Sequence, residues 1–105
     1  MKNKPKEEIQ DILKLEKSIP HKKDGSIIWR FPDGTVHRKF GPALESADGS
    51  KYWYLNGKLH REDGPAIEGT NGKKHWFLNG KRHRENGPAV ENPNGTRVWW
   101  INGQF

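Results

Sequence analysis

Cysteine is absent from the 105 residues. That excludes a disulfide framework, a thiol nucleophile and a thiolate metal site. Long apolar runs are absent as well. No stretch approaches the ~18 apolar residues of a membrane-spanning helix, and the opening "MKNKPKEEIQ" lacks the apolar segment of a secretory leader. A cytoplasmic protein is expected. Apolar side chains are scarce: 30% of the chain is hydrophobic, and adding its 12 glycines gives about 40%, against roughly 45–50% in typical globular chains. A wide, deep core is therefore not expected, and five tryptophans carry much of the hydrophobic area.

Charge is present in both signs but leans basic, with 19 Lys plus Arg against 13 Asp plus Glu and a net of +6. Such a balance attracts nucleic acid or acidic partners. Residues 1–23 hold +3 of it, so residues 24–105 are only mildly basic for their length.

Internal repetition dominates the rest. "WYLNGKLHREDGPAIE" (Trp53–Glu68) returns as "WFLNGKRHRENGPAVE" (Trp76–Glu91), 23 residues on. Trp29, Trp53, Trp76 and Trp99 mark four copies; His37, His60 and His83, Arg38, Arg61 and Arg84, and Glu45, Glu68 and Glu91 keep the same step. The pattern is W-x-x-N-G-x-x-H-R-x-x-G-P-A-φ-E, where φ is aliphatic. Copies span 24–47, 48–70, 71–93 and 94–105. The first has one additional residue before its turn glycine and Lys39-Phe40 in place of an acidic pair; the fourth, "NGTRVWWINGQF", ends before its His-Arg. Terminal repeats that cap a stack depart from the consensus in this way.

Each copy carries two turn signals, Asn-Gly at 56–57, 79–80 and 102–103 (Asp33-Gly34 in the first) and Asp-Gly or Asn-Gly at 24–25, 48–49, 71–72 and 94–95. Both residues of such pairs tolerate positive φ, which suits tight hairpins. Short strand-forming segments lie between them and no helical period fits residues 24–105. The expected fold is mainly β: a serial antiparallel hairpin array with two short strands per copy. Alternation along the strands assigns Trp29, Trp53, Trp76 and Trp99, with Phe31, Leu55, Leu78 and Ile101, to the core. It turns Tyr52, Tyr54, Phe77 and Trp100 to the other face, either as a partner-binding strip or as a second packed layer. Residues 1–23 form a separate basic segment. Pro5, the early acids, the late lysines and an apolar face of Ile9, Ile12 and Leu13, extended by Leu15 and Ile19, predict an amphipathic helix near residues 6–18 that Pro20 stops. It caps the first hairpin or docks a partner.

At "NGKLHREDGPA" the array resembles MORN repeats, β-hairpin units of similar length. It is closer to the divergent MORN-like proteins of bacteria, bacteriophages and large DNA viruses, which carry strings of W-x-x-N-G-x-x-H-R-x-D-G-P-A. The resemblance covers residues 24–105. It implies an extended twisted sheet used for protein contacts, and it identifies no reaction and no cofactor. His-Arg stands where the family usually has His-Gly, and Gly-Pro-Ala where it has a Gly-rich strand, so phosphoinositide binding is not carried over. The viral company of the motif implies a host-cytoplasmic protein, of the kind that blocks a host defence complex.

The His-Arg rows admit several readings. Equivalent residues two strands apart lie ~10 Å from one another, too far for His37, His60 and His83 to share an ion that holds nitrogens at about 2.0–2.1 Å. Repetition of "HRED" as "HREN" and "HRKF" argues against a catalytic site, which needs one asymmetric arrangement. No metal site and no enzyme are expected. Each arginine can instead pair with Glu45, Glu68 or Glu91 of its own or a neighbouring copy, each histidine can donate to a backbone carbonyl, and each Gly-Pro step bends the chain between strands. The alternative is nucleic acid, read by Arg38, Arg61 and Arg84 with Lys73, Lys74, Lys81 and Arg82, while aromatics stack bases. The leading expectation is a non-catalytic binding module with a protein partner. Open sheet edges also invite a homodimer.

Overall fold

The structure is a computed structural model that describes residues 17–105, and no helix occurs among them. Ile9, Ile12 and Leu13, and the predicted helix apart from its last two residues, lie outside the described residues. Lys17 and Ser18 are not helical, and Ile19–Lys23, assigned from sequence to the helical segment 1–23, form a strand instead. The Asp24-Gly25 turn explains the correction. It folds this segment back on Ser26–Arg30, pairing Lys23 with Ser26 and Ile19 with Arg30.

Twelve strands follow the chain: β1 (Ile19–Lys23), β2 (Ser26–Arg30), β3 (Leu44–Glu45), β4 (Lys51–Tyr52), β5 (Tyr54–Leu55), β6 (Lys58–Leu59), β7 (Ile67–Glu68), β8 (Lys74–His75), β9 (Phe77–Leu78), β10 (Lys81–Arg82), β11 (Val90–Glu91) and β12 (Arg97–Val98). Eight of them build one antiparallel sheet in the order β1-β2-β3-β4-β7-β8-β11-β12, while β5-β6 and β9-β10 are separate two-stranded ribbons. The second and third copies thus have four strands rather than two: in residues 48–70, β4 and β7 pair within the sheet and the β5-β6 ribbon projects between them, while the first copy has β2 and β3 with a single Arg30–Val36 bridge.

The two turn signals make different turns. In the ribbons Asn56 (φ 51°) and Gly57 (φ 79°) are both left-handed, as are Asn79-Gly80 and Asn102-Gly103, the two-residue hairpin geometry that Asn-Gly favours. In the sheet hairpin at 46–50 only Gly49 has positive φ, and Ser46 both donates to the Ser50 carbonyl and accepts from Gly49, a three-residue loop with a glycine bulge. Asp48 Oδ1 accepts the Ser50 amide at 2.8 Å there, and Asn71 and Asn94 repeat the contact in the next two loops. The additional residue of the first copy, Pro32, converts its ribbon turn to this second type: Phe31 donates to Thr35 and accepts from Gly34.

Trp53 and Trp76 are the corners where the chain leaves the sheet for a ribbon, whereas Trp29 still lies within β2. The Trp53 amide donates to Ala66 O at 2.7 Å, and its carbonyl accepts from His60 N at 2.9 Å. Strict alternation does not survive such a corner, so the predicted faces need correction. Trp29, Trp53, Trp76, Leu55 and Leu78 are half-buried, whereas Trp99 is 59% and Ile101 48% exposed. Among the described residues the buried apolar positions are Ala43, Ala66 and Ala89, each with no exposure, with Phe31, Phe77 and Val90, and the His37 ring is buried with them at 1% exposure. Backbone bonds hold each alanine on both sides: Ala66 N donates to His75 O while Ala66 O accepts from Trp53 N. The core is narrow, as the composition implies.

Candidate binding surface

Successive ribbons are joined through the histidine and arginine of each copy. His37 Nδ1 accepts the Asn56 amide at 2.9 Å, His60 Nδ1 that of Asn79 at 2.9 Å and His83 Nδ1 that of Asn102 at 3.0 Å. The predicted donation to a carbonyl is thus reversed: the ring accepts, so in neutral form its proton sits on Nε2. The adjacent backbone continues the link. Gly57 donates to Val36 O and Arg38 N to Tyr54 O, and both bonds recur one and two copies on. Hydrogen bonds from each copy to the next thus engage Nδ1 of every histidine in the row.

The arginines are equally committed. The guanidinium of Arg38 lies 4.1 Å from the Trp29 ring centroid, Arg61 3.8 Å from Trp53 and Arg84 3.9 Å from Trp76, a cation–π arrangement. Each Nη1 also donates to the carbonyl of Pro42, Pro65 or Pro88. Arg61 reaches Glu68 at 2.8 Å and Arg84 reaches Glu91 at 3.3 Å, both within their own copy. Glu68 further accepts from Trp53 Nε1 at 3.4 Å. On the opposite side of each guanidinium sits the glycine of Gly-Pro-Ala. A Cβ at Gly41, Gly64 or Gly87 would come within 2.8, 3.0 and 2.9 Å of the arginine Cζ. None of these three has positive φ. The glycine therefore serves the close approach of the arginine, not the bend expected from sequence.

One charge pattern escaped the sequence reading. Register places Glu45 opposite Lys51, Lys51 opposite Glu68, Glu68 opposite Lys74, Lys74 opposite Glu91 and Glu91 opposite Arg97. Directly opposed residues share a face, so acid and base alternate across the sheet. Lys51, Lys74 and Arg97 do recur at a step of 23, but only register shows whom they face. Lys74, assigned to a nucleic-acid strip, sits between two glutamates. Arg82, from the same strip, lies 5.3 Å from the Phe77 ring and 5.4 Å from Trp100.

Of the proposed aromatic strip, Phe77 is buried at 8% exposure, and Tyr52, Tyr54 and Trp100 are half-buried. This is the packed-layer alternative. Phe77 is correspondingly no exposed contact residue, because its ring lies in the ribbon column under Arg82.

The accessible features lie elsewhere. Two open grooves repeat one copy apart. One, of about 450 Å³, is floored by Trp53 and Leu55 and walled by the Arg38-Lys39-Phe40 loop. The next, of about 660 Å³, is floored by Trp76 and Leu78 and walled by the Arg61-Glu62-Asp63 loop, with Glu85 on its far side. The two share the Arg61-Glu62-Asp63 loop as a common wall, and the furrow they form has an apolar floor and a rim of mixed charge, Arg38, Lys39, Arg61 and Arg84 beside Glu62, Asp63 and Glu85. At one end of the array Trp99, Ile101 and Phe105 are exposed, Phe105 at 89%, and Phe40 is 85% exposed in the first loop. Among the described residues no cluster of three or more metal-ligating side chains occurs, and no helix is long and apolar enough to cross a membrane. No family model, curated protein or solved structure matches the chain.

Proposed function

We propose that the protein is a non-catalytic binding module of the MORN-like repeat type, and that it holds an extended segment of a partner protein in the furrow. The observation that carries the reading is the recurrence of one groove at a one-copy step, floored by Trp53-Leu55 and then by Trp76-Leu78. Two strands per step correspond to ~10 Å, and an extended chain rises about 3.3 Å per residue, so roughly every third ligand residue would meet an equivalent floor. The rim sets Glu62, Asp63 and Glu85 beside Arg38, Lys39, Arg61 and Arg84, which favours a polypeptide carrying both signs of charge over a uniformly anionic phosphate backbone. Arg38, Arg61 and Arg84 support nucleic acid poorly, since each is engaged by a ring and a carbonyl. The narrower form of the proposal, a viral protein in the host cytoplasm that occupies a defence complex, rests on the motif's resemblance.

Affinity capture from the natural host tests the reading, with wild type and Leu78→Arg run in parallel and with nuclease treatment. A polypeptide that survives nuclease, and is lost from Leu78→Arg, supports it. Retention of nucleic acid, weakening steeply as salt rises, refutes it.

A further inference from the structure

We infer that Asn86 is a site of spontaneous modification: its side-chain amide is converted to a carboxylate through attack by the Gly87 amide, at the one Asn-Gly step whose nucleophile the fold leaves unbonded. The inference does not rest on the furrow's having a ligand. Six Asn-Gly steps occur, with asparagine at 56, 71, 79, 86, 94 and 102, all among the described residues. A glycine, lacking Cβ, leaves its amide nitrogen open to the preceding side chain, so local sequence alone would make all six reactive. The structure separates them by where that nitrogen is held. Gly57 donates to Val36 O at 2.9 Å, Gly80 to Leu59 O at 2.8 Å and Gly103 to Arg82 O at 2.8 Å. Gly95 donates to Asn92 O at 2.9 Å and Gly72 to Gly69 O at 3.2 Å. In these last two loops the asparagine Oδ1 is held as well, by the Thr96 and Lys73 amides. Gly87 differs. Its amide donates to no acceptor among the described residues, Asn86 is exposed, and residues 85–87 form a bend rather than a hydrogen-bonded turn.

The attacking nitrogen must give up its proton. A carbonyl that accepts this proton in a hydrogen bond fixes the nitrogen away from the side chain, so the bonded steps react only after local opening. At Asn86 the Gly87 nitrogen bonds to Cγ, the Cγ–Nδ2 bond breaks, and Nδ2 leaves as ammonia with the proton the amide gave up. Water then opens the resulting cyclic imide at either carbonyl, which yields aspartate or its β-linked isomer at position 86. No oxidant and no cofactor enter. The aspartate product has a precedent one copy earlier, where Asp63 Oδ1 accepts from Arg61 Nε at 3.1 Å. The Arg84 side chain, by contrast, bonds only through Nη1 among the described residues. Conversion therefore turns "HREN" into the "HRED" of residues 60–63 and gives Arg84 Nε a carboxylate. It also adds an anion to the wall of the second groove, which Asn86 lines.

The test incubates the full folded chain in mildly alkaline buffer and follows every Asn-Gly step by proteolytic peptide mapping with mass spectrometry. The peptide that holds Asn86 should exchange amide for acid first, about fivefold faster than any of the others, a bias of the size that one retained hydrogen bond at each of those supplies. In urea strong enough to unfold the chain the six rates should draw together. Asn86→Asp, which is the product itself, should shift the Arg84 Nε–H resonance and slow its exchange with water, and the aged wild-type protein should develop the same signal. Equal rates at the six steps of the folded chain overturn the inference, as does any other step reacting first. A preference for Asn86 that persists unchanged in urea overturns it too, by assigning the rate to local sequence instead of the fold. An Arg84 Nε–H that does not move in Asn86→Asp overturns the pairing.

Discussion

Gly87→Ala separates two explanations of the Gly-Pro-Ala corner, because they predict opposite signs. Gly87 does not have positive φ. If backbone freedom were all that mattered, alanine would stabilise by about 0.4–1 kcal/mol through the unfolded chain. The added Cβ, however, would sit 2.9 Å from Arg84 Cζ and Nη1 and 3.2 Å from Nε. The guanidinium ends a flexible side chain, so it can move, but moving takes it off three partners. It lies 3.9 Å from the Trp76 ring and donates to Pro88 O at 3.1 Å and to Glu91 at 3.3 Å. A partly exposed cation–π contact contributes about 0.5–1 kcal/mol. The two hydrogen bonds add about 1 kcal/mol together after discounting for the 30% exposure of Arg84. The loss of ~1.5–2 kcal/mol outweighs the entropic gain, leaving Gly87→Ala destabilised by about 1 kcal/mol, a fall of roughly 4–8 °C in Tm for a domain of this size. In an Arg84→Ala background the clash partner is gone and the same substitution should stabilise by ~0.5 kcal/mol. Urea and thermal unfolding of the four proteins give the coupling directly. A Gly87→Ala variant that melts higher than wild type, by as much as it does without Arg84, would refute the packing account.

His60→Ala removes the acceptor of the Asn79 amide and should cost about 1 kcal/mol; amide exchange at Asn79 should accelerate while Asn102, held by His83, is unchanged. Ala66→Leu, at a site with no exposure, should cost at least ~1–3 kcal/mol in urea unfolding, as overpacking does. Trp76→Ala should lower stability by ~2–3 kcal/mol, less than a fully buried ring, and Trp99→Ala by under ~1 kcal/mol, measured by the same unfolding curves. The Ser50 amide, then its hydroxyl, hold the Asp48 carboxyl below the ordinary aspartate value. A group whose folded value is depressed stabilises at neutral pH, and that contribution is lost as pH falls through the lowered value. Asp48→Asn, which copies the Asn71 and Asn94 loops, should flatten the acid limb of the pH–stability curve below about pH 4.

The period of 23, the turn positions and the mainly β class were legible because Asn-Gly, Gly-Pro-Ala and tryptophan each have narrow conformational or packing preferences. The faces were not. Alternation presumes a continuous strand, and the bonds of Trp53 to Ala66 and His60 turn the chain at the very residue from which the count began. Alanine gave no hydrophobic signal strong enough to mark Ala43, Ala66 and Ala89 as positions of no exposure, since so small a side chain carries little apolar area. The Arg–Glu pairing within a copy was readable from spacing, and Arg61-Glu68 and Arg84-Glu91 show it. The arginine–tryptophan stack was not, because it joins residues on opposite limbs of a ribbon whose existence the two-strand reading missed.

A repeat consensus is usually searched for function at its invariant polar residues. Here the recurring histidine, arginine and glutamate are engaged by the repeat itself: histidine Nδ1 by the next turn, arginine by tryptophan and proline, glutamate by arginine and lysine. Even the glycine is spoken for by the guanidinium above it. Groups so engaged cannot recognise a ligand without releasing what joins one copy to the next. On the proposed function, recognition is left to positions the consensus does not specify, and these differ between copies: Lys39-Phe40, Glu62-Asp63 and Glu85-Asn86 on the loops. A scaffold of this kind can change its loop residues, and so its partner, without touching the contacts that hold it together. Substitutions at loop positions should therefore alter binding with little change in unfolding, while consensus substitutions should do the reverse.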